Sequence, residues 1–210
     1  MKKETAVERQ SRVSKTGRDW EDYVKQYLSE KLQGTGIQIL KGSDIPENSF
    51  LWKKLAIPTK ASTMAESVWG DIDLVALKDD IVISVMSCKL SLHGRFTETL
   101  FYSLLFRVLS RIKFVLVTPD AGRASKTDKW DSEWGKPEAP TKDRALAESY
   151  LEGVYVRNLE EYCKYKKANE STCLGGIIRD LSELPSDIIK WEKDSSKFIY
   201  SGKNKKLQGF

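Results

Sequence analysis

Trp20, Val24, Tyr27, Leu28 and Leu32 recur at three- and four-residue intervals in an otherwise polar run, the pattern of a helix that buries one face. Gly34-Thr35-Gly36 follows as a helix stop. Ile37–Leu40 is a short apolar run that reads as a strand, and the stretch holding Pro46 and Pro58 reads as a loop. Asp71–Leu77 and Ile81–Lys89 are two β-rich segments separated by Lys78-Asp79-Asp80, which predicts a hairpin. A helix is expected over about Arg95–Ser110 and a buried strand over Lys113–Thr118. Pro119 to about Thr141 carries Pro, Gly, Lys, Asp and two tryptophans and is longer than an ordinary loop; such loops tend to be functional or disordered. Beyond it, Gly153–Arg157 reads as a strand, Leu159–Lys166 as a short helix, and Leu174–Trp191 as a helical region broken near Pro185. This order predicts one α/β domain over residues 1–210, a mixed central β-sheet flanked by helices, with basic tails at 1–14 and 197–210 and a long loop at 119–141.

Composition narrows the chemistry. The 210 residues are 40% hydrophobic and 31% charged, enough for one sizeable core. His93 is the only histidine, so zinc fingers of the Cys2His2 type, two-histidine phosphodiesterases and HExxH metalloproteases are excluded, and any Ser-His-Asp or Cys-His site rests on that one residue. Cys88, Cys163 and Cys173 are odd in number and never spaced as CxxC, which fits a reducing, intracellular compartment. The start of the chain has no apolar leader, and the apolar stretch Leu100–Val117 is interrupted by Arg107, Arg111 and Lys113, so neither secretion nor membrane spanning is expected. The net charge is +5, with +4 in residues 1–18 and +4 in residues 190–210, leaving −3 between them. Basic ends suit a polyanionic partner and an acidic middle suits a cation site; solvated charged tails are the plain alternative.

The acidic middle contains the informative segment. Asp71 and Asp73 lie on one face of the first hairpin strand, Ser87 and Lys89 on one face of the second, and a tight turn at 78–80 brings these polar ends to one edge. Carboxylate oxygens there suit Mg²⁺, a hard cation, and a nearby ammonium offsets charge during phosphodiester cleavage. Cys88 faces the other way and reads as core.

GDIDLVAL at 70–77, followed by a hydrophobic strand ending in Ser87-Cys88-Lys89, resembles the PD-(D/E)xK nuclease superfamily, which includes type II restriction endonucleases, junction resolvases and Mrr-like enzymes. Asp73 matches the family's aspartate and Lys89 its lysine, Asp71 stands where some relatives carry an acid, and Gly17-Arg18-Asp19-Trp20-Glu21 resembles the Gly-Arg-x-x-Glu setting of the first helix. The resemblance spans roughly residues 15–118. It implies a restriction-endonuclease-like fold and a Mg²⁺-dependent endodeoxyribonuclease acting on double-stranded DNA, with Asp73, Asp71, Glu98 and Glu21 as metal ligands and Asp73, Lys89, Glu98 and Glu21 as the catalytic set. Cutting both strands then implies a homodimer or a heterodimer with a second nuclease subunit, in a prokaryotic cytoplasm. One departure is clear: the acid expected two residues before the lysine is Ser87, and Glu98, in the first turn of the next helix, is the candidate replacement.

Each candidate has a plainer reading. Glu98 is also placed as a helix N-terminal acid should be, Asp71 as a solvated strand-start acid, Lys89 as a strand-end lysine and Glu21 as a solvent-facing helix residue. Arg95 and His93 are candidate DNA contacts, whereas Arg107 and Arg111 suit a helix end. Arg123, Lys126 and Lys129, with Trp130 and Trp134, make the 119–141 loop a candidate DNA-binding element, or else a disordered or dimer-forming one. A junction resolvase and a non-catalytic DNA-binding protein on a decayed nuclease scaffold are the alternative functions.

Overall fold

The computed structural model describes residues 6–58, 67–70, 72–92, 96–109, 112–120, 132–157 and 173–203. The elements in order are α1 (Ala6–Lys31), β1 (Gln38–Lys41), α2 (Phe50–Leu55), β2 (Ile57–Pro58), β3 (Ser67–Val68), β4 (Leu74–Lys78), β5 (Ile81–Cys88), α3 (Phe96–Leu109), β6 (Lys113–Thr118), β7 (Gly135–Lys136), β8 (Ala139–Pro140), α4 (Lys142–Tyr150), β9 (Gly153–Val156), β10 (Ile178–Asp180) and α5 (Leu184–Lys203).

Six strands form one mixed sheet in the order β1-β4-β5-β6-β9-β10. The first two pairings are antiparallel and the remaining three parallel. The expected hairpin is the β4–β5 pair; its turn residues Asp79 and Asp80 have φ of 49° and 62°, the left-handed conformation that two-residue hairpin turns demand. A register shift beside Ala76 and Leu77 places an extra residue in β5. As a result Val82 and Val85 pack on one face while Ile83 and Met86 pack on the other.

Helices cover both faces. Trp20, Val24 and Leu28 of α1, with Leu32 just beyond its end, join Leu184, Ile188 and Trp191 of α5 on one side, against Met86, Val115 and Tyr155. On the other, Phe96 and Phe106 of α3 and Ala147 of α4 pack on Val85, Phe114, Leu116 and Val154. The parallel strands are buried on both faces, which is why KFVLVT and GVYV are almost continuously apolar. Their carboxyl ends share one edge of the sheet, and the hairpin's open end reaches the same edge.

Three expectations are corrected. Leu174–Trp191 is not a broken helix: Ile178–Asp180 adds the edge strand β10, and Pro185 lies in the first turn of α5, where a missing N–H costs nothing. Lys142–Tyr150 is a helix that the sequence reading passed over, started by the Thr141 side chain accepting from Arg144 N–H. The 119–141 stretch is partly built structure, since it contains the β7–β8 hairpin and a fully buried Trp134 packed edge-on against Phe96. Trp134 is therefore core and not a DNA contact. Of the expected basic tails at 1–14 and 197–210, residues 6–14 belong to α1 and 197–203 to α5, while 1–5, 204–210 and the expected helix over Leu159–Lys166 lie outside the described residues.

Candidate active site

Asp73 stands one residue before β4, and its backbone is held from both sides: its N–H donates to Met86 carbonyl at 3.2 Å and its carbonyl accepts from Gly42 N–H at 2.9 Å. Only glycine allows the second approach, because a Cβ at position 42 would fall 2.0 Å from the Ile72 carbonyl oxygen. With the backbone fixed, Asp73 Oδ2 accepts from Cys88 N–H at 2.6 Å and from Lys89 Nζ at 3.1 Å. The expected aspartate and lysine thus form a direct ion pair, partly withdrawn from solvent.

Lys89 is anchored in turn by its backbone N–H, which donates to Val117 carbonyl at 3.0 Å. The same oxygen accepts from Trp20 Nε1 at 3.3 Å. This shared acceptor docks α1 beside Lys89 and brings the next residue, Glu21, into the electrostatic field of the pair. Burial raises the Glu21 pKa above its ordinary value, the negative charge of Asp73 raises it further, and Lys41 and Lys89 act in the opposite direction. Lys41 itself is held by Asp22 at 2.5 Å.

Ser87 and Glu98 have separate placements. The Ser87 hydroxyl is fully buried and pairs with Thr99 Oγ1 at 3.3 Å, pinning the first turn of α3 to β5. Neighbouring residues on a helix project about 100° apart, so with Thr99 turned inward Glu98 is exposed. Among the described residues no hydrogen bond or ion pair links Glu98 to Asp73 or Lys89. Nor do these residues contain a cluster of three or more His, Cys, Asp or Glu side chains arranged to hold a metal. The structure therefore brings together Asp73, Lys89 and Glu21. Asp71, His93, Arg95, Arg111, Arg123, Lys126 and Lys129 lie outside the described residues. Arg107 serves a helix end, though of α4: its Nη1 donates to Ser149 carbonyl at 3.0 Å.

A supporting cluster was missed from the sequence. Asp120, buried after β6 at φ 52°, accepts from Ser132 Oγ at 2.6 Å and Glu133 N–H at 3.0 Å. Glu133 accepts from Leu92 N–H at 3.1 Å, and so steadies the segment leaving Lys89. The available signal was Trp134, too apolar for a solvated loop and next to Ser132 and Glu133, the two partners of Asp120.

A mixed sheet whose hairpin presents an aspartate and a lysine at its edge, with a helical glutamate in their electrostatic field, is the arrangement that the sequence resemblance implied. The BsaWI restriction endonuclease type 2 family model matches residues 47–174, more than half of the chain, and the chain belongs to that family. Among solved structures, the chain is similar to metal-depleted Ecl18kI in complex with uncleaved DNA, at 14% identity and TM-score 0.47 over 97% of this chain and 51% of that one. It is also similar to metal-depleted Ecl18kI in complex with uncleaved, modified DNA, at 14% identity and TM-score 0.46 over 90% of this chain and 49% of that one. The chain thus spans about half the length of these structures. No curated protein sequence matches it. Among the described residues no helix is long and apolar enough to cross a membrane.

Proposed function

We propose that the protein is a Mg²⁺-dependent endodeoxyribonuclease that hydrolyses phosphodiester bonds of double-stranded DNA at a specific sequence. The observation that carries this reading is the Asp73–Lys89 ion pair with Glu21 in its field. Asp73 and Glu21 would suit a hard divalent cation: both are oxygen donors, and a cation beside them would offset the burial and the Asp73 charge that raise the Glu21 pKa. Held by Asp73 and Glu21, a Mg²⁺ ion would supply positive charge at the scissile phosphate and a more acidic water. Lys89, aimed by Asp73, orients the attacking water and offsets the charge gathering on the phosphoryl oxygens. In-line attack leaves a 5′-phosphate and a 3′-hydroxyl. Glu98 is a further carboxylate for the set if its exposed side chain turns toward the edge.

One such site per chain cuts one strand, so duplex cleavage calls for a second subunit. A second copy of this chain is supported by α3, where Phe101, Leu104 and Val108 recur on one face and are 54%, 45% and 73% exposed. Incubation of supercoiled plasmid with the protein and Mg²⁺, followed by end sequencing, is expected to give linear DNA with fixed ends. Absence of cleavage on varied DNA, or cleavage undiminished by Asp73→Ala and Lys89→Ala, overturns the reading. The small number of carboxylates favours a second reading, a DNA-binding protein without catalysis; duplex binding with no Mg²⁺ affinity distinguishes it. Cutting confined to branched DNA indicates junction resolution instead.

A further inference from the structure

We infer that Lys15 and Arg18, on the part of α1 that runs past the sheet edge carrying Asp73 and Lys89, are phosphate contacts that hold duplex DNA beside that centre. The inference rests on the proposed DNA-cleaving function but concerns binding alone.

The direction of α1 follows from its neighbours. Trp20 Nε1 reaches the Val117 carbonyl near the carboxyl end of β6, whereas the chain leaving the helix enters β1 at Gln38, opposite Leu77 near the hairpin turn. The helix therefore crosses the sheet from the Asp73–Lys89 edge to the far one, and Trp20, Val24 and Leu28 are buried along that path. Ahead of Trp20 the packing stops. Lys15, Arg18 and Asp19 are exposed, and a Cβ added at Gly17 would meet nothing within 4 Å beyond the helix's own backbone. At a rise of about 1.5 Å per residue, Arg18 lies roughly 4.5 Å and Lys15 roughly 9 Å ahead of Glu21 along the axis.

Charge along one side of the helix changes character at the same point. Lys15, Arg18, Asp22 and Lys25 follow one another at intervals of three and four residues and so share a face. The inner two are matched within the fold, Asp22 by Lys41 at 2.5 Å and Lys25 by Asp44 at 3.5 Å. The outer two carry the face past these partners with two positive charges, in a segment whose first 18 residues total +4. Asp19 lies about 100° further round the axis from Arg18. Duplex DNA fits this face by charge: each strand carries one phosphate per about 3.4 Å of rise, so a strand led to Asp73 and Lys89 brings further phosphates to the leading turns of α1. Contacts of this kind set the position of the duplex and carry no sequence information.

The test is equilibrium binding of the full chain to a random-sequence DNA duplex over a salt series, with calcium and again in chelator. Lys15→Gln combined with Arg18→Gln is expected to weaken binding about 10-fold or more and to flatten the slope of log K against log salt by about 1.8. Either substitution alone should flatten it by about 0.9 and serves if the double variant does not fold. Lys190→Gln combined with Lys193→Gln removes the same charge from exposed positions of α5, beside the Glu192–Lys78 ion pair at the far edge, and should keep the wild-type slope. An unchanged slope without Lys15 and Arg18 overturns the inference, and so does equal flattening in both double variants, which is the signature of net charge alone. If the wild type cuts duplex and the slope does not respond, the nuclease reading stands and this inference falls. If the wild type binds duplex without cutting it and the slope flattens as expected, the nuclease reading falls and this inference stands. If the wild type does not bind duplex at all, both fall.

Discussion

Arg144 and Lys89 are both cations buried in this fold, and their surroundings differ in kind. Arg144 directs its head group at three acceptors, the Glu148 carboxylate of its own helix at 3.0 Å, Cys173 carbonyl at 2.8 Å and Gly175 carbonyl at 2.7 Å, tying α4 to the approach of β10. Lys89 meets Asp73 at a sheet edge that a second carboxylate, Glu21, also occupies with its charge disfavoured. The matched ion closes the structure. The region of opposed carboxylates keeps a charge that its surroundings disfavour, and under the proposed function a cation bound there would relieve it.

The comparison is tested most strongly by removing each cation or its partner. Asp73→Ala and Lys89→Ala are each expected to reduce single-turnover DNA cleavage by roughly 10³-fold or more while the far-ultraviolet circular dichroism stays unchanged. Arg144→Met should do the reverse: about 3 kcal/mol of stability is lost in urea unfolding, from three charge-assisted hydrogen bonds, with cleavage retained at low temperature. A variant of Arg144 that lost cleavage while fully folded would erase the distinction.

The next test concerns which glutamate belongs to the centre. Glu21→Gln is expected to slow cleavage about 10²-fold and Glu98→Gln less than about 10-fold, read from the same single-turnover rates. The opposite order would make the exposed Glu98 the working carboxylate. The smallest effect is one of stability. A carboxyl group whose folded pKa is raised binds more protons folded than unfolded, so its cost is absent below the ordinary value of 4.5 and grows as the pH rises through the folded pKa. Without divalent metal, Glu21→Gln should therefore melt higher than wild type at neutral pH and lose that advantage near pH 4. Added Mg²⁺ should narrow the neutral-pH gap by stabilising the wild type.

The β4–β5 hairpin, KFVLVT and the face of α1 were legible because their patterns arise from local geometry: strand alternation, apolar runs and helical spacing. Lys142–Tyr150 was passed over because its few apolar positions give a weak stripe beside a long polar stretch. Ile178–Asp180 was concealed for another reason: a three-residue strand is defined by the neighbour it pairs with, and β9 is remote in sequence. At the site, the hairpin pattern already pairs Asp73 with Lys89, and in the fold Lys89 Nζ lies 3.1 Å from Asp73 Oδ2.

By itself, then, the sequence determined the α/β class, the single hairpin carrying aspartate and lysine, and the exclusion of multi-histidine chemistry, because these depend on residue identity and spacing within a few turns or strands. Only the tertiary structure decided that Glu21 shares the field of Asp73, that Ser87 is spent on Thr99 and that Glu98 faces outward. Those relations are set by how α1 and α3 dock on opposite faces of the sheet. Docking is fixed by the summed burial of many side chains and by single shared acceptors such as the Val117 carbonyl, which leave no short-range trace along the chain.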